Sequence, residues 1–242
     1  MKKVTKAVIP AAGLGSRMFP YTKVESKLMI TVLNKPVVAY LVEELAVSGI
    51  EEVIIVSDHL HNIKEFFKKN RHLNELLKRL RKEESLKILR HIEHLAKIDL
   101  INQKLPMGWM HEVLHAEKYL KKAPFVVCFS DVLYNSKVPA ARQIIDKFQE
   151  TGKNIYSRGR LLFKPSVFEI IEKEHFKLGQ DTADLDVIER LRKINDLFEM
   201  DIDGFFCDIG DPLAYLKTQT VFGLNDKKFG NRYREFLKML VK

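Results

Sequence analysis

Apolar residues recur along this chain with two different periods. Thr5–Pro10 (TKAVIP) reads as a short buried strand, Glu52–Ser57 (EVIIVS) is a continuous apolar run of strand length, and Phe125–Phe129 (FVVCF) reads as a central strand. Val38, Leu41, Val42 and Leu45 instead fall at three- and four-residue steps, which predicts a helix over Pro36–Ser48 closed by Gly49. Strand, helix and strand in that order predict a right-handed βαβ unit and a parallel sheet. The helical period returns over His61–Lys97, with breaks expected near Asn70 and Glu83. Further along, Asp99–Gln103 and Leu161–Phe163 read as short strands. Trp109–Leu120, Pro139–Glu150, Val167–Lys173, Ala183–Phe198, Pro212–Gln219 and Arg232–Val241 read as helices, with Pro139 at a favoured first position. Gly204–Cys207 leads into Asp208. No internal repeat or low-complexity linker interrupts the pattern. The whole predicts one α/β domain over 1–242: a doubly wound, mostly parallel, Rossmann-like sheet with a helical insertion and a mixed C-terminal part.

Composition narrows the class. A chain of 242 residues, 46% of them hydrophobic, buries a sizeable core. No apolar run approaches the roughly 20 residues of a membrane helix. The N-terminal lysines and following apolar residues have the outline of a leader, but Pro10, two glycines and Arg17 cut the stretch short, so a first strand entering a loop is expected. Two cysteines, Cys128 and Cys207, make no disulfide framework and sit in apolar stretches, which points to a reducing cytoplasm. The net charge of +9 raises nucleic acid as a partner. Much of that charge lies in Lys64–Lys97 beside leucines at helical spacing, the pattern of solvated basic helix faces, and this reading is favoured.

Chemistry gathers in four places. Ala11-Ala12-Gly13-Leu14-Gly15-Ser16-Arg17 is a glycine-rich loop after the first strand. Such loops bring backbone amides against phosphate oxygens, and Arg17 adds a fixed cation with bidentate geometry. The loop lacks the third glycine of a dinucleotide fingerprint and the Gly-Lys-Ser/Thr of a Walker loop. Lys23 and Lys27 follow it. Asp131 stands just past the end of a buried strand, where parallel sheets hold ligands. Alone it reads as a turn residue; beside a phosphate loop it becomes a candidate metal ligand. The remaining two stretches are Gln103–Val113 (QKLPMGWMHEV) and Cys207-Asp208-Ile209-Gly210-Asp211 followed by Tyr215. His111, taken alone, reads as structural.

Residues 6–40, KAVIPAAGLGSRMFPYTKVESKLMITVLNKPVVAY, resemble the nucleotide-binding signature of the bacterial UTP–glucose-1-phosphate uridylyltransferases: G-x-G-T/S-R-x-x-P-x-T-K, a short gap, K-E-x-x-P, then D/N-K-P. Gly13, Gly15, Arg17, Pro20, Lys23, Lys27 and Pro36 fall on it. Ser26, Leu28 and Thr31 depart from it. Gln103, Gly108, His111 and Val113 line up with the family's Q-G-x-x-x-G-x-G-H-A-V, whereas Met107, Met110 and Glu112 do not, Met110 replacing a glycine and Glu112 an alanine. Asp208 to Tyr215 is similar to the family's D-x-G-D/N-x-x-x-Y.

The resemblance implies a nucleotidyltransferase fold of the glycosyltransferase-A-like kind, with a nucleotide-binding half up to about residue 135 and a sugar-binding half from about 155. It implies that Ala11, Ala12, Gly13, Leu14 and Gly15 wrap the nucleotide, that Arg17 and Lys27 neutralise the reacting phosphates, and that Gln103 and Gly108 hold the pyrimidine edge. Asp131 is then both catalytic and nucleotide-binding, and shares one Mg²⁺ with Asp208; few carboxylates plus phosphate and water suit that ion. The implied partners are UTP and glucose 1-phosphate, with no membrane, no nucleic acid, and a homodimer or homotetramer as the assembly, to which Arg232–Val241 is a candidate contact.

The match has a gap. Between Phe148 and Gly159 the family carries several more strands, including a Tyr-Gly strand and a V-E-K-P strand that hold the sugar and its phosphate. Here TGKNIYSRG runs straight into GRLLF. Either that segment is absent, or a mobile loop lies outside this numbering. Downstream, Asp181 and Asp186 stand at the two acidic positions of a loosely matched stretch, and Pro212 where a phosphate-binding lysine is often found. Three functions remain open: uridylyl transfer or a thymidylyl or other sugar-1-phosphate relative of it, a non-catalytic nucleotide-binding paralogue, and a basic nucleic-acid-binding protein.

Overall fold

The computed structural model describes residues 2–179 and 182–240. Its strands are β1 (Lys6–Pro10), β2 (Thr31–Val32), β3 (Lys35–Pro36), β4 (Glu52–Ser57), β5 (Lys97–Asn102), β6 (Phe125–Cys128), β7 (Val132–Asn135), β8 (Asn154–Ser157), β9 (Arg160–Phe163), β10 (Leu197–Glu199) and β11 (Phe205–Asp208). Seven of them form one sheet in the order β10-β8-β9-β6-β1-β4-β5. All neighbours in it run parallel except those of β9. A second, two-stranded antiparallel ribbon pairs β7 with β11, and a third pairs β2 with β3.

Helices cover both faces. They are α1 (Val37–Val47), α2 (Leu60–Phe67), α3 (Arg71–Arg79), α4 (Glu83–Glu93), α5 (Trp109–His115), α6 (Glu117–Leu120), α7 (Ala140–Thr151), α8 (Phe168–Ile171), α9 (Thr182–Lys193), α10 (Pro212–Asn225) and α11 (Gly230–Leu240). Strand side chains alternate between the faces. Ala7, Ile9, Val53, Ile55 and Val126 pack with α1 and α7 on one side. Val8, Ile54, Val56, Phe125 and Val127 pack with α5, α8 and α9 on the other. Burial on both faces is why these strands read as unbroken apolar runs. The helical stretch between β4 and β5 is divided near Asn70 and Glu83, as its sequence predicts, and Gly49 closes α1 with φ 96°.

Several expectations need correction. Trp109–Leu120 is two helices, because the chain turns at Ala116. Pro139 is the residue before α7, with extended ψ, not its first helical residue. The helix expected over Ala183–Phe198 stops at Lys193; Asn195 takes φ 54°, and Leu197–Glu199 leaves to pair with β8. Asp181 and Val241 lie outside the described residues.

The chain also closes cleanly where the family's extra strands were expected. β8 and β9 form a tight antiparallel hairpin, with Ser157 opposite Arg160 and only Arg158-Gly159 at the turn. Gly159 has φ 74°, and a Cβ there would lie 2.7 Å from the Val132 side chain, so the turn requires glycine. The buried Arg160 guanidinium fastens the hairpin to α1 and β7: it donates to both Glu44 carboxylate oxygens at 2.8 and 2.7 Å and to the Val132 carbonyl at 3.1 Å.

Candidate active site

Parallel strands end on the same edge, so β1, β4 and β6 deliver their following loops to one place. The loop after β1 is tied down at both ends. The Ala11 amide donates to the Val56 carbonyl at 2.8 Å. Gly15 adopts φ 59°, and the buried Thr22 hydroxyl donates to its carbonyl at 2.8 Å. A Cβ at Gly15 would meet Thr22 at 3.0 Å, so conformation and packing both demand glycine there. Gly13 differs: a Cβ would meet nothing within 4 Å. Its surroundings leave room for a group to approach the backbone closely. A cavity of about 250 Å³ opens beside this loop, lined by Gly13, Leu14, Lys23, Lys27 and His59 among others.

The backbones of two aspartates are neighbours at the same edge. Asp131 follows β6, and Asp208 ends β11. The β7–β11 ribbon sets Asp208 opposite Val132, and the Ile209 amide donates to the Asp131 carbonyl at 2.9 Å. Both aspartates have a cation beside them. Lys27 Nζ lies 3.0 Å from Asp131 Oδ2, with both side chains about one-fifth exposed. The Gly210 amide donates to Asp208 Oδ1 at 2.6 Å, and a Cβ on Gly210 would meet Arg17 Nη2 at 2.7 Å and Asp208 Oδ1 at 2.9 Å. Glycine at 210 thus lets the Arg17 guanidinium lie against the Asp208 turn. The structure pairs Lys27 with Asp131 and lays Arg17 against the Asp208 turn, and the Ile209 amide links the two aspartate-bearing segments. Among the described residues no group of three or more metal-ligating side chains is found. A site here offers two carboxylates, the set that suits Mg²⁺ sharing its shell with phosphate and water.

Gln103 and Gly108 lie on the loop into α5 and are already engaged. The buried Gln103 amide donates to the Leu105 carbonyl at 2.9 Å, and its oxygen takes His111 Nδ1 at 3.1 Å. His111 also packs on His115 and Phe176, and burial, then His115, holds its pKa below the usual value. Gly108 has φ 90°; behind it stands Asp184, which accepts from the Met110 amide at 2.9 Å and the Trp109 amide at 3.3 Å. Met110, which replaces a glycine of the signature, is fully buried and points into the core.

Two residues at this site carried no signal of their own in the sequence. Asp184 caps α5 from 74 residues away. Glu112 is 4% exposed and accepts from the Ala12 amide at 3.0 Å across 100 residues of chain. Burial pushes the Glu112 carboxyl up to about 8, against the lowering influence of the Ala12 amide and Lys27. Only its departure from the signature marks Glu112 in advance. Cys128 and Cys207 are buried and unpaired. Asp186 lies on the exposed side of α9, away from the buried Asp184. No described helix is long and apolar enough to cross a membrane.

A doubly wound sheet carrying a glycine-rich loop, two cations and two aspartates on one edge defines a phosphate-handling α/β protein of the nucleotide-binding class. The chain belongs to the nucleotidyl transferase family, whose pattern it matches over residues 6–157. It is 29% identical to UTP–glucose-1-phosphate uridylyltransferase 2 of Staphylococcus saprophyticus, with 99% of each chain covered, and 28% identical to the UTP–glucose-1-phosphate uridylyltransferase of Staphylococcus epidermidis over the same share. The first alignment runs over 286 positions against 242 residues here, so that relative carries several dozen positions without a counterpart in this chain. Among solved structures, UDP-glucose pyrophosphorylase of Acinetobacter baumannii superposes with a TM-score of 0.88 over 98% of this chain and 100% of that one, at 22% identity; its UTP-bound form gives 0.87. These establish the fold.

Proposed function

We propose that this chain transfers the uridylyl group of UTP to glucose 1-phosphate, giving UDP-glucose and pyrophosphate. The observation that carries this reading is an open glycine-rich loop flanked by two cation–aspartate neighbours, Lys27 with Asp131 and Arg17 with the Asp208 turn. An oxygen of the sugar phosphate attacks the α-phosphorus of UTP; the bond from that phosphorus to the β-phosphate oxygen breaks, and pyrophosphate leaves. The nucleophile is already ionised, so no general base is needed. Both reactants are anionic, and the work of the protein is to hold them in line and offset their charge. Gly13 allows phosphate oxygens to reach the loop backbone. Lys27 and Arg17 supply positive charge. Asp131 and Asp208 would hold Mg²⁺, which when bound supplies further neutralisation at the phosphates. Pyrophosphate release from UTP plus glucose 1-phosphate, in the presence of Mg²⁺, tests the reading, and no release above a protein-free control sinks it. A cytoplasmic setting and a homo-oligomeric assembly belong to the same proposal.

One observation favours a second reading. The β8–β9 hairpin closes in two residues where the signature's family has the strands that hold the sugar. A nucleotide-binding paralogue without transfer activity would show UTP binding by calorimetry and no pyrophosphate release.

A further inference from the structure

The residues that the resemblance gives to the nucleotide base are satisfied from within the protein. Gln103 is spent on Leu105 and His111, and Asp184 stands behind Gly108. The third contact is of a different kind. The Ala12 amide belongs to the nucleotide-binding loop, and its one hydrogen is donated to Glu112 Oε2 at 3.0 Å. Position 112 is alanine in the signature, and an alanine has no side-chain acceptor to offer. Here a carboxyl reaches from the first turn of α5 to the loop, with Lys27 and Asp184 as its charged neighbours.

A carboxyl that is 4% exposed keeps its place only while it is hydrogen-bonded. One N–H makes one good bond, so a ligand oxygen arriving at Ala12 has to displace Glu112. The displaced oxygen then loses the Ala12 donor while still buried, which costs more than the bond itself was worth. An ionised Glu112 would add repulsion against the phosphates of the same ligand.

We infer that Glu112 is an affinity-determining residue for the nucleotide: an internal acceptor that occupies the Ala12 amide and holds nucleotide binding weaker than a chain with alanine at 112 would. The inference rests on the nucleotide-binding reading of the loop and not on the transfer step. It acts through Ala12, so Glu112 is a positioning group and needs no contact with substrate.

The test is UTP with Mg²⁺ titrated calorimetrically into wild type, Glu112→Ala and Glu112→Gln at neutral pH. Glu112→Ala is expected to bind UTP roughly tenfold more tightly or better, the size expected for a buried acceptor no longer orphaned. In turnover the gain falls on KM for UTP, not on kcat. Glu112→Gln keeps an acceptor in place and stays within about threefold of wild type. UTP binding by Glu112→Ala that is equal to or weaker than wild type overturns the inference. Should Glu112→Ala fail to fold, the Glu112 side-chain ¹³C resonance of the wild-type protein is followed during UTP addition; a resonance that moves as UTP binds supports displacement, and one that stays put overturns it. Tighter UTP binding without pyrophosphate release keeps this inference and removes the transfer reaction, so the two fail separately.

Discussion

Lys27 Nζ stands 3.0 Å from Asp131 Oδ2, although 104 residues separate them in the chain. The short helical turn Lys27–Met29 carries the lysine, with Ser26 capping it by accepting from the Leu28 amide. The loop after β6 carries the aspartate. The shared edge of a parallel sheet joins the two segments.

Asp131→Asn is expected to lower turnover by at least about 10²-fold, the loss seen when one preorganised electrostatic group is removed. The fold should survive, because the side chain is about one-fifth exposed and its backbone carbonyl still takes the Ile209 amide. Pyrophosphate release at limiting Mg²⁺, beside a far-ultraviolet melt, checks both halves. Wild-type rates in the variant would remove Asp131 from the chemistry.

Lys27→Ala should separate rate from stability. The Lys27–Asp131 pair is about one-fifth exposed, so its loss should cost less than the roughly 3–5 kcal/mol of a fully buried pair, and the melt should shift modestly. Turnover should fall far more, because Arg17 lies against the Asp208 turn and not beside Asp131. Lys27→Arg should recover little, since a planar fork does not replace a compact ammonium at this spacing. Unchanged kinetics in Lys27→Ala would return the residue to a purely structural pairing with Asp131.

The central sheet was readable because its strands are buried on both faces and therefore apolar throughout. β1, β4 and β6 were legible for that reason, and α1 because only one stripe of it faces the core. β7, β8 and β10 were not, being three or four residues long and partly polar; β7 and β10 also find their partners far away in sequence. The overlong helix through Phe198 arose because Leu197 and Phe198 continue the helical spacing, while a left-handed Asn195 ends the helix first. At the site, motif spacing pointed to Arg17 and Lys27, the end of a buried strand to Asp131, and likeness to a family segment to Asp208. Glu112 and Asp184 act through contacts with amides 100 and 74 residues away, and no local pattern encodes such a contact.

Nucleotide preference follows from the same edge. UTP or dTTP should raise the melting temperature more than ATP or GTP, because Gln103 and Gly108 match the pyrimidine-holding positions of the signature. Thermal-shift titrations with all four nucleotides and Mg²⁺ check this. Equal or larger shifts with the purine nucleotides would overturn the base assignment.

Arg160 ties the shortened hairpin to the segment that bears Asp131. Its guanidinium is fully buried, and Glu44, Val132 and Gly159 together accept from it. Removing one partner leaves the other charge buried, which typically costs about 3–5 kcal/mol. Arg160→Ala should therefore unfold at much lower urea concentration than wild type. Arg160→Ala with Glu44→Ala should lose less than the two single losses added. Additive losses in that double-mutant cycle would show that the pair is not coupled.

Glu112 should leave its mark on the pH dependence of stability. Its carboxyl titrates near 8 in the folded chain, chiefly because burial penalises the charge, against 4.5 when exposed. Between those values the folded state keeps a proton that the unfolded state has released. Stability therefore falls as pH rises through this window, is free of the penalty below about 4.5, and carries it in full above about 8. The full penalty is on the order of a few kcal/mol, since each tenfold difference in proton affinity between the two states corresponds to about 1.4 kcal/mol. Glutamine at 112 has no proton to lose and still accepts from the Ala12 amide. Glu112→Gln and wild type should thus melt at similar temperatures near pH 5, and the variant should gain progressively to pH 8 and no further beyond about pH 9. At about 2–4 °C per kcal/mol for a chain of this size, the gap at its widest is several degrees. A gap between the two melting curves that does not change from pH 5 to 9 would mean that Glu112 is ionised throughout, and that Lys27 and the loop amides outweigh its burial.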